Sequence, residues 1–291
     1  ITSKIEHPCV LETCKALERQ GYTVTYLPVD KEGFVSPKQV EEAITSDTAL
    51  VTIMAANNEI GTIQPIEEIA KICSAKKVPF HTDAVQAFKK IPIDVTKLPV
   101  SALSLSAHKI HGPKGVGALF LRKGLQIKPQ IHGGGQERNK RSGTENVPGI
   151  AGFGEAVKIK YDSKKVAKLR DYLVNKITKT ILDIVYNGPK DNSKRVCNNA
   201  SMSFKYIEGE ALLLHMSMSG ICVSTGSACA ARDLKISYVL KEIGLEAGVA
   251  HGTLRFSLSQ KNTKQEIDYT VKKLKATVAT LRKMSPLGGK K

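Results

Sequence analysis

Apolar positions in the first half of the chain alternate between two rhythms. Short β-branched runs at 22–28, 49–54, 79–82, 100–106 and 116–122 read as strands. Between them, 36–44 and 66–75 carry apolar residues at helical spacing, with Ser36 as an N-cap and Pro37 at the first helical position. A βαβ rhythm of this kind predicts a largely parallel α/β sheet flanked by helices. Ligands of such sheets sit beyond the carboxyl ends of the strands, so the polar loops after Met54, Thr82 and Ser106 are expected to converge on one site.

The second half changes character. Residues 152–184 read as one long helix rich in Lys and Leu, and 200–204, 221–224 and 253–257 as strands. A last amphipathic helix covers 263–284, with Thr263 as N-cap and Glu266 three residues later completing a capping box. We expect a first domain over 1–160 and a smaller α+β domain over 161–291, with no internal repeats.

A chain of 291 residues with 41% hydrophobic and 24% charged residues is long enough to bury a full core. The best candidate for a membrane span, 211–223, is interrupted by His215, Ser217, Ser219 and Gly220 and is too short, so no membrane partner is expected. The opening, Ile-Thr-Ser-Lys-Ile-Glu-His, lacks the charged and apolar regions of a signal peptide and reads like the middle of a strand and loop. We therefore expect N-terminal sequence, and any targeting segment with it, to be absent from this chain. Six scattered cysteines with no Cys-x-x-Cys pair disfavour a zinc site and a disulfide scaffold, and point to a reducing compartment. The net charge of +17 is carried by dispersed lysines and accompanied by only 5% aromatics, which fits solvated helix faces better than a nucleic-acid surface.

Candidate chemistry begins with Ser-Ala-His-Lys-Ile-His-Gly-Pro-Lys-Gly at 106–115. Lys109 follows an apolar strand and precedes a glycine-rich turn. An amine attacks an aldehyde only when partly neutral, which burial or a neighbouring cation such as His108 can bring about. The second motif, His-Thr-Asp-Ala-Val-Gln at 81–86, ends another strand. There Asp83 can keep a pyridinium nitrogen protonated and Gln86 can reach a ring hydroxyl, although a helix cap explains Asp83 equally well. The pair suggests pyridoxal phosphate on a Schiff-base lysine. His7 offers a flat ring for stacking and proton transfer, or an ordinary surface imidazole. Asn57-Asn58-Glu59-Ile60-Gly61 closes a strand with an amide that can bind a ring oxygen or a substrate carboxylate, or simply makes a turn.

Three further motifs lie downstream. Gly133-Gly134-Gly135, leading to Arg141-Ser142-Gly143-Thr144, can present amides and a hydroxyl to a phosphate, and it is not a Walker loop. Cys229 stands among small residues in Ser-Thr-Gly-Ser-Ala-Cys, the setting of a thiol that travels and attacks sulfur rather than one packed in a core. Arg255 lies in an apolar strand and needs a partner, which a structural carboxylate or a substrate carboxylate supplies equally well.

In that order, these motifs resemble the cysteine desulfurases of the class V aminotransferase family, particularly those that feed iron–sulfur cluster assembly. The resemblance runs from residue 1 to about Leu287. It implies the type I fold of pyridoxal-phosphate-dependent transferases, with a mainly parallel sheet and a smaller C-terminal domain. It implies Lys109 as Schiff-base lysine, Asp83 as pyridinium partner, Gln86 on the ring oxygen and His7 stacked on the ring. Ser106 and His108 would hold the phosphate, and Thr144 would reach the phosphate of a neighbouring subunit in a homodimer. Asn58 and Arg255 would bind the carboxylate of L-cysteine, and Cys229 would accept its sulfur and transiently contact a nascent cluster. No resident metal is implied. The acceptor would be an iron–sulfur scaffold or another sulfur carrier, with tRNA thiolation as a further destination, in the bacterial cytoplasm or an organelle matrix. Members of the family carry further N-terminal sequence, including a threonine loop that grips the phosphate, and a longer C-terminal tail. A selenocysteine lyase or another class V enzyme is the neighbouring reading, and an inactive basic binding module is a third.

Overall fold

The computed structural model describes residues 1–225 and 236–285. The first part of the chain runs β1 (Thr2–Ser3), α1 (Pro8–Glu18), β2 (Tyr26–Leu27), α2 (Pro37–Ala43), β3 (Val51–Thr52), α3 (Ile66–Ala75), β4 (Phe80–Asp83), β5 (Ala102–Ser106) and β6 (Gly117–Leu121). These strands form one sheet in the order β2-β1-β3-β4-β5-β6. All neighbours are parallel except β6, which pairs antiparallel with β5 at the edge. The parallel strands are short and β-branched because both faces are covered: Val51, Ile53, Phe80 and Leu103 pack with Ile69, Ala70 and Cys73 of α3 and with Val40 of α2.

The second part contains α4 (Gln136–Asn139), α5 (Val147–Lys158), α6 (Ser163–Thr180), β7 (Ile184–Tyr186), β8 (Asn199–Phe204), α7 (Gly209–Met218), β9 (Ser224–Thr225), α8 (Tyr238–Glu242), α9 (Ala247–Ala250), β10 (Thr253–Ser257) and α10 (Lys264–Met284). Its sheet is antiparallel, in the order β7-β8-β10-β9. Helices α6, α7 and α10 cover it through Leu173, Ile177, Leu212, Met216, Val271 and Leu274. No helix among the described residues is long and apolar enough to cross a membrane.

Helix α3 has the bounds its periodicity predicts, and α2 has Ser36 as its cap with Pro37 at its start. The predicted capping box of α10 is present: Thr263 Oγ1 accepts from Glu266 N at 3.2 Å while Thr263 N donates to Glu266 Oε2 at 2.9 Å. The single helix expected over 152–184 is not found. It is divided into α5 and α6, because Asp162 caps a new helix by accepting from Lys165 N at 2.9 Å, and the chain then turns into β7. The strands expected at 22–28 and 49–54 pair over only two residues each.

The two sheets meet through buried Arg195. Its guanidinium donates to Ile60 O (2.5 Å), Asn187 O (2.6 Å) and Pro189 O (2.9 Å), and lies 4.1 Å from the Tyr186 ring centre. One side chain thereby ties the loop after β3 to the turn after β7. Arg195→Ala leaves three buried carbonyls without a donor and is expected to lower unfolding stability by about 3 kcal/mol, read from the urea midpoint. A midpoint within error of the parent would show that the junction does not depend on this side chain.

Candidate functional site

Four adjacent parallel strands deliver the candidate residues to one edge of the large sheet. His7 follows β1, Asn58 follows β3, Asp83 ends β4 with Gln86 just beyond, and Ser106 ends β5. After Ser106 the chain makes one turn of 3₁₀ helix over Ala107–Ile110, which carries His108 and Lys109. Ala107 and Ile110 pack inward against Phe153 and Ala156 of α5, leaving His108 and Lys109 exposed. The turn stops at His111, at φ 67°. The burial expected to neutralise Lys109 is therefore absent from the described chain, because its turn caps the sheet edge instead of entering the core.

The electrostatics show that these residues share one neighbourhood. Burial holds the His7 imidazole below its usual value, while the negative charge of Asp83 raises it and the positive charge of Lys109 lowers it further. His7 is also the N-cap of α1: Nδ1 accepts from Cys9 N at 3.3 Å, which leaves the proton of the neutral ring on Nε2. Asp83 is 8% exposed, and its Oδ1 accepts from Val85 N at 2.9 Å. Asp83 thus closes a tight turn instead of capping a helix, since residues 85–90 wind in turns. Ser106 Oγ lies 2.7 Å from His108 Nδ1, pairing the two side chains assigned to a phosphate. Burial, followed by the charges of Lys109 and Lys114, keeps the His108 imidazole low.

Two groups that sequence reasoning did not single out stand behind this edge. Glu6 is fully buried: Oε1 accepts from Ser3 Oγ at 2.7 Å and Met54 N at 2.9 Å, and Oε2 has no partner. Burial pushes its carboxyl up to about 8, and the charge of Asp83 adds to the rise. Lys90 is 8% exposed and donates to Gln86 Oε1 at 3.0 Å. Neither has a sequence signal beyond its neighbours, since an acid beside His7 and a lysine in a Lys-Lys pair both read as surface charge.

The loop Asn57–Gly61 carries the substrate-side candidates. Arg255, on β10, donates to Asn58 O at 2.9 Å, so the two residues expected to bind a carboxylate come together. Asn58 Oδ1 is buried without a hydrogen-bond partner among the described residues. Glu59, buried and raised to about 7 by that burial, accepts from Ser237 Oγ at 2.5 Å. Cys229 lies outside the described residues. The flanks of its segment are described: Ser224 pairs with Arg255, and Ser237 bonds Glu59, so both arrive beside Asn58. Thr144 is exposed, downstream of Glu137, Arg138 and Asn139 at positive φ, and among the described residues it makes no hydrogen bond to the other candidates.

The set fits pyridoxal phosphate. It combines a buried carboxylate for a protonated ring nitrogen, an imidazole, an amide, a hydroxyl–imidazole pair and an amine, all at the carboxyl edge of a parallel sheet.

Residues 1–270 match the aminotransferase class-V family. The chain is 50% identical to the cysteine desulfurase IscS of Dictyoglomus turgidum, over 98% of its own length and 73% of that protein. Among solved structures it is similar to a NifS-like protein, with 43% identity, a TM-score of 0.88 and coverage of 96% of this chain and 74% of that one. It is also similar to SspA, solved in complex with cysteine, at 39% identity and TM-score 0.78, covering 90% and 74% respectively. The chain belongs to the class-V aminotransferase family and, within it, to the cysteine desulfurases.

Buried Glu6 makes a pH prediction. Its native carboxyl titrates near 8, above the ordinary value of 4.5, so between these limits the native state holds a proton that the unfolded state has released. Stability should therefore fall as pH rises through this window. Glu6→Gln, which keeps both hydrogen bonds to Oε1, is expected to flatten the decline, measured as the thermal midpoint from pH 5 to 8. Parallel curves for the two proteins would contradict a neutral Glu6.

Proposed function

We propose that the chain is a pyridoxal-phosphate-dependent cysteine desulfurase that converts L-cysteine to L-alanine and leaves the sulfur as a persulfide on Cys229. The observation that carries this reading is the meeting of His7, Asp83 and Lys109 at the ends of β1, β4 and β5, close enough that both charges act on the His7 ring. Residues 1–160 form the large cofactor-binding part in this reading, and 161–291 the small domain that carries the cysteine.

The cofactor, when bound, supplies an electron sink for cleavage of the carbon–sulfur bond. Lys109 would hold it through its amine, and that amine would also serve as the base that takes the substrate's α-proton. Asp83 keeps the ring nitrogen protonated, Gln86 donates to the ring oxygen, and His7 covers the ring and hands on protons from Nε2. Ser106 and His108 bind the phosphate, joined by Thr144 from a second copy in a homodimer. Arg255 and Asn58 bind the substrate carboxylate, which points its sulfur towards the segment flanked by Ser224 and Ser237. There the Cys229 thiolate would attack the substrate sulfur, forming the S–S bond as the carbon–sulfur bond breaks and its electron pair passes to the carbon that is protonated to give alanine. A scaffold for iron–sulfur cluster assembly, or another acceptor, would take the sulfur onward. A cytoplasm or an organelle matrix suits such a thiol.

The test is release of alanine and sulfide from L-cysteine with a reductant, together with a visible absorption band that borohydride removes. Lys109→Ala should lose the reducible band and Cys229→Ser the persulfide, with rates at least about a hundredfold lower. Arg255→Ala should raise KM for cysteine by about ten- to a hundredfold, because the substrate carboxylate loses its bidentate partner. Wild-type turnover in Cys229→Ser would remove that cysteine from the reaction.

A further inference from the structure

Lys90 is a buried cation outside the set just described. Residues 84–91 follow β4 in a run of tight turns: Phe88 N bonds Ala84 O at 2.8 Å, Lys90 N bonds Ala87 O at 2.9 Å and Ile91 N bonds Ala87 O at 3.0 Å. That helix-like winding brings side chains four apart onto one face, Gln86 and Lys90 among them. Burying an ammonium costs several kcal/mol unless it is bonded. Among the described residues, the acceptor that meets Lys90 Nζ is Gln86 Oε1, at 3.0 Å.

The chemistry of that contact is one-directional. An ammonium only donates, so the atom facing it must be the amide oxygen. Gln86 is left with its NH2 group as the free end, and that end can only donate.

We propose that Lys90 is a positioning residue that locks the Gln86 amide with its NH2 group towards the oxygen of the cofactor ring. The inference rests on the cofactor reading above. Without Lys90 the amide can turn over and present its own oxygen to an anionic oxygen. The groups that act on Lys90 by charge are Lys109 and Cys197, whose Sγ lies 3.6 Å from Tyr161 Oη. Burial, with the charge of Lys109, brings the ammonium down to about 8, still largely charged at neutral pH.

The readout is the pH titration of the visible band of the purified holoprotein, which reports the proton on the Lys109–cofactor linkage. A donor on the ring oxygen stabilises the anion that remains when this proton leaves, so it lowers the titration midpoint. Lys90→Met replaces the ammonium with an apolar chain of similar length and should raise the midpoint by about one pH unit, a tenfold change in proton affinity. Lys90→Arg, which also only donates, should hold it near the wild-type value. In a Gln86→Ala background, Lys90→Met should add nothing, since the two act as one unit. Where Lys90→Met does not fold, Lys90→Gln carries the same test, because an amide no longer dictates which end of Gln86 faces it. A Lys90→Met midpoint equal to wild type, or a full additional shift in the Gln86→Ala background, overturns the proposal. A wild-type protein without any visible band would instead remove the cofactor reading, and this inference with it.

Discussion

The segment Asn57–Gly61 is the point on which the rest of the site hangs, because every one of its residues is bonded to another part of the chain. Asn57 donates to Ile5 O and accepts from Glu59 N and Ile60 N, which shapes the turn and ties it to the segment of His7. Asn58 O receives Arg255, Glu59 O receives Asn199 Nδ2, and Glu59 Oε2 receives Ser237. Ile60 O receives Arg195, and Gly61 O receives Val196 N. Gly61 sits at φ +79°, and a Cβ there would lie 2.9 Å from Asn199, so neither the backbone nor the space admits a larger residue. These bonds connect the ends of β1 and β3 to β8, β10 and the start of α8. Burying polar groups is expensive unless they are paired, and the bonds just named hold the partners of this turn together while Asn58 Oδ1 stays unpaired.

That rigidity matters because the groups at the sheet edge work through charge and orientation. Asp83 and Lys109 act in opposite directions on His7, while burial holds the imidazole below its ordinary value. Behind them, Glu6 and Lys90 are buried and titrate close to neutrality, one raised and one lowered by the same loss of water. Their hydrogen bonds, with Met54 N and with Gln86 Oε1, run directly into the segments that carry Asn58 and Gln86. Preorganised dipoles of this sort do more at a reacting centre than mobile ones, because they need no reorganisation during the reaction.

Much of this was legible along the chain. The period of α3, the caps of α2 and α10, and strand β10 follow from local chemistry and occur where the pattern puts them. The motifs around His7, Asn58, Asp83 and Lys109 were visible as unusual residues at strand ends. The break between α5 and α6 was not, because Asp162 reads as one more polar residue on a long amphipathic face until its carboxylate is seen capping a new helix. Nor was helix α1, because its cap is a histidine rather than the usual Ser, Thr or Asp.

The sequence by itself determined the alternation of strand and helix, the positions of the turns and the kinds of side chain available at each strand end, because these depend on neighbours only a few residues away. Tertiary structure decided which of those ends stand side by side. It brought Arg255 to Asn58 across 197 positions and Ser237 to Glu59 across 178. It also buried Lys90 and left Lys109 exposed. Burial and the charges it amplifies depend on what packs over a residue, and no local pattern carries that information.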